Sequence, residues 1–404
     1  MNENNKGKLI ITRKNGYIFS LLTDEKDKAV QISIDGGRTE SIIGNIYIGR
    51  VDNIVRSINA AFVEFAPGKM GYFPLDSVVQ PMYTNPARKP GPLRKGDKLM
   101  VQVSKDGIKT KEPVLTSDIN LTGKYVVLTV GEKGLHFSNK FKDPEKKKII
   151  QKRYSSCTYD DIGFIIRTNA AYADVDQIFE ETDFYYSLWL MLRDCGLYNN
   201  CLSQIYQAPR SYMVNIRDGY EDVLGEIITD DEDIFRELKE YLDRYQPDDT
   251  DKLRLYSGSC VSLHTMYNID RQISEALQKK VWLKSGGYLI IEPTEALVVI
   301  DVNTGKYISE KKAEDEYLKV NLEAAKEIAR QIRLRNLSGI IIIDFINMKS
   351  EAGKNMLLDY MKSRLQTDPV KTNIVEMTKL NLVEITRKKI RKPLYELIDT
   401  TILQ

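Results

Sequence analysis

The sequence is poor in cysteine and gives its cysteines no pairing pattern. Cys157, Cys195, Cys201 and Cys260 are widely spaced and form no C-x-x-C pair, so neither a zinc site nor a disulfide framework is indicated. Reduced cytosolic thiols are the simplest account. Long apolar runs are missing as well. No stretch approaches the length needed to cross a bilayer. The opening Met-Asn-Glu-Asn-Asn-Lys-Gly-Lys holds no apolar signal core. Both absences point to a cytoplasmic protein without a membrane partner. Nor does one sign of charge dominate: 59 basic residues face 57 acidic ones, a net charge of +2. Total charge therefore does not mark a nucleic-acid binder. Internal repeats and long low-complexity segments are absent, which argues against a repeat array.

What is present is an ordinary globular composition, 42% hydrophobic and 29% charged over 404 residues. That is enough for two or three domains with real cores. The charge is informative locally. Lys146-Lys147-Lys148 with Lys152 and Arg153 form one basic cluster, and Arg387-Lys388-Lys389 with Arg391 and Lys392 another. Acids concentrate at residues 221–251. Such runs are either solvated faces or contacts for an anionic partner.

The most organised stretch is residues 296–348. It opens with Ala-Leu-Val-Val-Ile-Asp-Val-Asn, ending in Asp301 and Asn303. It closes with Gly-Ile-Ile-Ile-Ile-Asp-Phe-Ile-Asn-Met, where Asp344 ends the apolar run. Both runs are short, β-branched and nearly continuous, the pattern of strands buried on both faces. Between them, Leu318, Leu322, Ala325, Ile328, Ala329 and Ile332 recur at helical spacing over residues 314–336, with Gly339 as the stop. A strand–helix–strand unit makes the two strands parallel. Their carboxyl ends then share one sheet edge, where open α/β sheets bind ligands. Asp301 and Asn303, two residues apart, point to one side. Two carboxylates and an amide oxygen, with no His or Cys nearby, suit Mg²⁺ or Mn²⁺ rather than zinc. The bland alternative is that the acids cap strands or pair with nearby Lys or Arg.

Upstream, Leu9–Thr12, Tyr17–Ser20 and Ala29–Ile32 read as short strands. From Gly44 a compact β module begins, with strands over residues 45–51, 60–65, 71–75, 97–103 and 111–116 and a basic, proline-rich loop at 81–96. Five strands at this spacing fit an OB-fold barrel. The order G-x-V, A-F-V-x-F, G-Y-F-P-L resembles the S1 RNA-binding domain. Phe62, Tyr72 and Lys111 are candidates for stacking on bases and meeting a phosphate. Phe62 and Tyr72 read equally as barrel core, whereas Phe65 and Phe73, out of phase with them, read as core. Strands follow at residues 124–130 and 161–168, then a helix over 174–192. Arg167 and Thr168 end the second strand, placed either to fork onto a phosphate or to form a structural salt bridge and a turn. Residues 212–216 and 253–256 read as strands, 233–245 and 269–277 as helices. Ser285-Gly286-Gly287 marks a hairpin turn leading into the Asp301 strand.

An S1-like barrel, then I-I-R-T, then S-G-G-x-L-I-I-E-x-T-E-A-L-V-V-I-D-V-N, then N-L-E-A-A-K-E-I-A-R-Q-I-R-L-R-N-L-S-G-I-I-I-I-D-F-I-N-M: this order resembles the ribonuclease E/G family of single-strand endoribonucleases. The likeness spans nearly the whole chain. It implies an α+β multidomain fold, in which an S1-like OB-fold barrel (41–119) and a 5′-phosphate sensor region (120–210) are inserted into an RNase H-like subdomain (1–40 and 211–278). A DNase I-like α/β catalytic subdomain follows (279–404). The resemblance places the metal-binding aspartates on Asp301 and Asp344 and the associated asparagine on Asn303. It places RNA contacts on Phe62, Tyr72 and Lys111. The 5′-phosphate sensor falls on Arg167 and Thr168, with a backbone contact near Val127. Lys140 and Lys371 stand where family members with a well-developed sensor carry Arg, and lysine lacks the planar fork. The sequence ends before the family's zinc-linking cysteine pair and small domain, so no zinc and no zinc-linked oligomer are expected. The implied activity is Mg²⁺-dependent internal cleavage of single-stranded RNA, messenger or ribosomal precursor, with a preference for 5′-monophosphate ends. A factor that binds RNA or the ribosome on the same scaffold without cutting is the alternative.

Overall fold

The computed structural model describes residues 6–398 except 37–40, 77–81, 86–90, 108–110, 160, 220–223, 259 and 306–312. Part of the basic loop at 81–96 thus lies outside the described residues. The chain forms two compact units. One combines residues 1–39, 223–235 and 252–404; the other combines 40–222 and 236–251. Among the described residues no helix is long and apolar enough to cross a membrane.

In the second unit, strands Ile46–Val55, Ala60–Ala66, Lys69–Pro74, Lys98–Lys105 and Val114–Thr116 close into a barrel, the first pairing with both the second and the fourth. The short strand Gln204–Tyr206 adds to its rim. A closed five-strand barrel is consistent with an OB-fold. Alternation sets its interior: Val51, Val63, Phe65, Phe73, Val101 and Leu115 are buried. Beside it, a four-stranded sheet takes the order Gly134–Phe137, Ile162–Ile166, Val126–Val130, Asn120–Thr122. The helix Val175–Tyr198 covers it through Ile178, Phe179, Tyr185, Leu188 and Trp189.

Residues 211–218, expected partly as a strand, form the helix Ser211–Asp218. Tyr212, Asn215 and Ile216 are buried at helical spacing, and a run this short does not distinguish the two periods by itself.

Among the described residues, the first unit holds two sheets. One is five-stranded, with Gly7–Lys14 at its centre. That strand pairs antiparallel with Tyr17–Thr23 and parallel with Leu224–Thr229, so the N-terminal strands join strands that lie far along the chain. The other sheet is six-stranded and runs Lys280–Trp282, Tyr288–Pro293, Leu297–Asn303, Gly339–Asp344, Leu382–Arg387, Thr372–Met377. Leu297–Asn303 and Gly339–Asp344 are parallel neighbours, joined through the helix Ala313–Leu334.

The expectation of strands buried on both faces is corrected here. Val298, Ile300, Val302, Ile341, Ile343, Val383 and Ile385 pack against Val320, Ala324, Ile328 and Ile332 of one helix and Leu357 and Met361 of the helix Glu351–Leu365. The other face stays partly exposed, with Ile340 at 49%. β-Branched residues fill both sides of these strands, so their composition conceals that only one side is covered.

Candidate active site

The acids stand on that less covered face. Asp301 and Asp344 are direct partners in the parallel register, so their side chains leave neighbouring strands on the same side. Asp301 is half-buried and Asp344 exposed. Asn303 donates from Nδ2 to Asp301 Oδ2 at 2.7 Å. Burial and the neighbouring Asp301 charge raise the Asp344 carboxyl above its ordinary range. Two carboxylates held together in this way invite a cation between them. Among the described residues no group of three or more His, Cys, Asp or Glu converges. Asp301, Asp344 and Asn303 offer hard oxygens, a chemistry that suits a cation keeping part of its water shell.

Asn321 and Glu323, which the sequence did not single out, and the turn residue Gly287 hold this geometry. Asn321, fully buried on the helix, donates from Nδ2 to the Ile346 carbonyl at 2.8 Å and accepts from the Ile346 N–H at 3.1 Å. This reciprocal pair fixes the backbone two residues beyond Asp344. A polar residue on an apolar helix face was the available signal. Glu323 accepts from the backbone N–H groups of Lys284 (2.6 Å) and Ser285 (3.2 Å), pinning the hairpin turn. Gly287 completes that turn. A Cβ there would lie 2.7 Å from the Asn303 carbonyl oxygen, so only glycine lets the turn approach the acid strand this closely.

In the barrel, Phe62 and Tyr72 are cross-strand partners, half-buried, with ring centroids 6.3 Å apart and an edge-to-face angle of 76°. Phe65 and Phe73 are buried, as their phase requires. Lys111 is exposed, just ahead of the strand whose Val114 pairs with Tyr72.

Arg167 and Thr168 leave the end of the Ile162–Ile166 strand. The Arg167 guanidinium donates to Asp218 Oδ1 at 2.8 Å and, through Nη1, to the Gly123 carbonyl. Asp218 also pairs with Arg217 at 3.0 Å. Burial opposes its ionisation, but the two guanidiniums outweigh burial and hold its carboxyl well below the usual carboxylate range. The salt bridge raised as an alternative for Arg167 is thus present. Thr168 Oγ1 lies 3.2 Å from Ser138 Oγ, and the Lys140 N–H reaches the same Ser138 oxygen at 3.3 Å. Ser138, a lone serine in no motif, links these two positions. Val127 is half-buried on the adjoining strand. Lys371 belongs to the other compact unit and is exposed beside the Thr372–Met377 strand.

The model of the ribonuclease E/G family matches residues 120–390. The chain is 33% identical over 373 residues to Ribonuclease G of Haemophilus influenzae, covering 90% of this chain and 76% of that protein. Ribonuclease G of Salmonella typhimurium is 34% identical over the same length and coverage. Ribonuclease E of Synechocystis is 32% identical over 383 residues, 92% of this chain but 56% of that longer protein. The chain belongs to the ribonuclease E/G family.

Proposed function

We propose that the protein is an endoribonuclease of RNA processing and decay that cleaves single-stranded RNA internally with the help of a divalent cation, Mg²⁺ or Mn²⁺. The observation that carries the reading is the register of Asp301 with Asp344 on the less covered sheet face, with Asn303 bonded to Asp301. Asp301 and Asp344 would hold the cation. The amide of Asn303, fixed by its bond to Asp301, orients the scissile phosphate or a water. A bound cation would polarise the phosphoryl oxygens and lower the pKa of an attacking water. The two carboxylates repel each other while that site is empty, and a cation relieves the repulsion. Cleavage of a labelled single-stranded RNA, a duplex of the same sequence and the matching DNA tests the substrate class. Faster cutting of DNA or duplex would overturn it.

The barrel binds the RNA strand, with Phe62 and Tyr72 as base platforms and Lys111 for a phosphate. Phe62→Ala is expected to weaken RNA binding by about 1–3 kcal/mol, the usual value of a base–aromatic stack. Normal RNA affinity in a variant that melts early would assign Phe62 to the barrel core instead.

Arg167, Thr168, the Val127 backbone and Lys140, all in one compact unit, serve a 5′-terminal phosphate. Arg167 shares its charge with Asp218, and Lys140 lacks a fork, so the preference is modest. RNA with a 5′-monophosphate should be cut about tenfold faster than its 5′-hydroxyl form, a factor worth about 1.4 kcal/mol. Arg167→Ala should erase that difference and leave slow, end-independent cleavage. Equal rates for both substrates with the unaltered protein would leave Arg167 its salt bridge alone.

A further inference from the structure

The sheet face that carries the acids also carries two aromatic rings in line with Asn303. Trp282 pairs across to Tyr288, and Tyr288 across to Asn303. One step along, Lys280 pairs with Ile290, and Ile290 with Asp301. Direct cross-strand partners point to the same side of a sheet. Trp282, Lys280 and Tyr288 therefore share the side of Asp301 and Asn303. Neighbouring strands lie about 4.8 Å apart, so the Trp282 strand is roughly 10 Å from the Asp301 strand.

The three side chains are organised. The two rings meet edge to face with centroids 5.4 Å apart. Lys280 Nζ lies 4.0 Å from the Trp282 centroid and 3.8 Å from that of Tyr288. Trp282 is nevertheless 65% exposed. An indole held by a cation and a second ring gives up little conformational freedom when a flat partner docks on it. Exposed aromatic surface beside a positive charge is the combination that receives an unpaired base and its phosphate.

We propose that Trp282 and Tyr288, with Lys280 between them, form a stacking subsite for an unpaired base of the RNA strand whose phosphodiester lies at Asp301 and Asp344. The inference rests on the reading of the chain as an RNA-cleaving enzyme. It adds a substrate contact on the catalytic sheet itself, separate from the barrel.

The chain has two tryptophans, and the other, Trp189, is buried at 3% exposure. Binding is followed in an Asp344→Asn background by titrating a single-stranded RNA oligonucleotide against tryptophan emission. Quenching is expected, and Trp282→Phe should remove it while keeping most of the affinity. Trp282→Ala should weaken binding about tenfold. An abasic nucleotide walked along the RNA should weaken binding at a position near the scissile phosphate, and Trp282→Ala should be blind to that position. Unchanged affinity and an unchanged abasic profile in Trp282→Ala, with cleavage by the unaltered protein, would overturn the subsite and leave the endonuclease reading standing. Reduced self-association with unchanged RNA affinity would assign the patch to a protein surface and also overturn it. Failure of the unaltered protein to bind RNA would overturn both.

Discussion

Asp301→Asn and Asp344→Asn are each expected to lower RNA cleavage about a thousandfold or more and to leave the metal-free protein at least as stable as before. The loss of activity follows from removing one of two carboxylates that leave neighbouring strands on the same side, in register. Losing a cation ligand forfeits several kcal/mol of transition-state stabilisation. The stability effect follows from the raised Asp344 carboxyl. Burial and the Asp301 charge both disfavour its ionised form. Near its titration the folded chain then binds more protons than the unfolded chain, so this group's contribution to stability falls as pH rises through its folded pKa. An amide at either position relieves the repulsion at neutral pH. Mg²⁺ should raise the melting temperature of the unaltered protein, because a ligand bound only to the folded state stabilises it. It should do so much less in either variant. Melting curves with Mg²⁺ and with EDTA, run beside cleavage assays, separate the two effects. A variant that melts earlier in EDTA and also loses activity would make the aspartate a structural residue.

The second large effect concerns stability alone. Arg387→Met should destabilise the protein by about 3–5 kcal/mol. Arg387 and Asp368 are 3% and 5% exposed, joined by bonds of 2.7 and 3.2 Å in a fork-on-fork pair. Arg387 also donates to Asn336 Oδ1 at 2.7 Å and to the Leu337 carbonyl at 3.0 Å, just ahead of the Gly339–Asp344 strand. Methionine would leave the Asp368 carboxylate buried without its guanidinium. The double variant Arg387→Met with Asp368→Leu should recover much of the loss, since it removes both desolvated charges. Denaturant midpoints of the two variants check this. A single variant that unfolds with the unaltered midpoint would refute it.

Arg387 also shows where sequence reading stops. Within the run Arg387-Lys388-Lys389 it reads as one of a cluster of surface charges, and Lys388 and Lys389 are indeed exposed. Its period-two phase with Val383 and Ile385 places it on the buried face instead. The acid-bearing strands and the barrel strands were legible because their runs are bounded by turn residues and their alternation is regular. Their parallel pairing followed from the helix between them. The exposed side of the sheet was not legible, because isoleucine and valine occupy both faces of the strands. Residues 211–218 were too short a run for their period to decide. Asn321 was a polar residue on an apolar stripe, and only the fold shows that it reaches the Ile346 backbone. Of the site, the residue types and their spacing were readable. The less covered face, the rings aligned with Asn303 and the identity of Asp218 as the salt-bridge partner of Arg167 were not, because each depends on pairing between distant segments.

The central claim is tested most directly by incubating a 5′-labelled single-stranded RNA with the purified protein in Mg²⁺, and in parallel with EDTA or with Asp344→Asn. The account predicts internal cuts leaving a 5′-phosphate on the downstream fragment in Mg²⁺ alone, and intact RNA in both other reactions. Cleavage that survives EDTA and Asp344→Asn, or RNA that is bound but uncut in both Mg²⁺ and Mn²⁺, would contradict it.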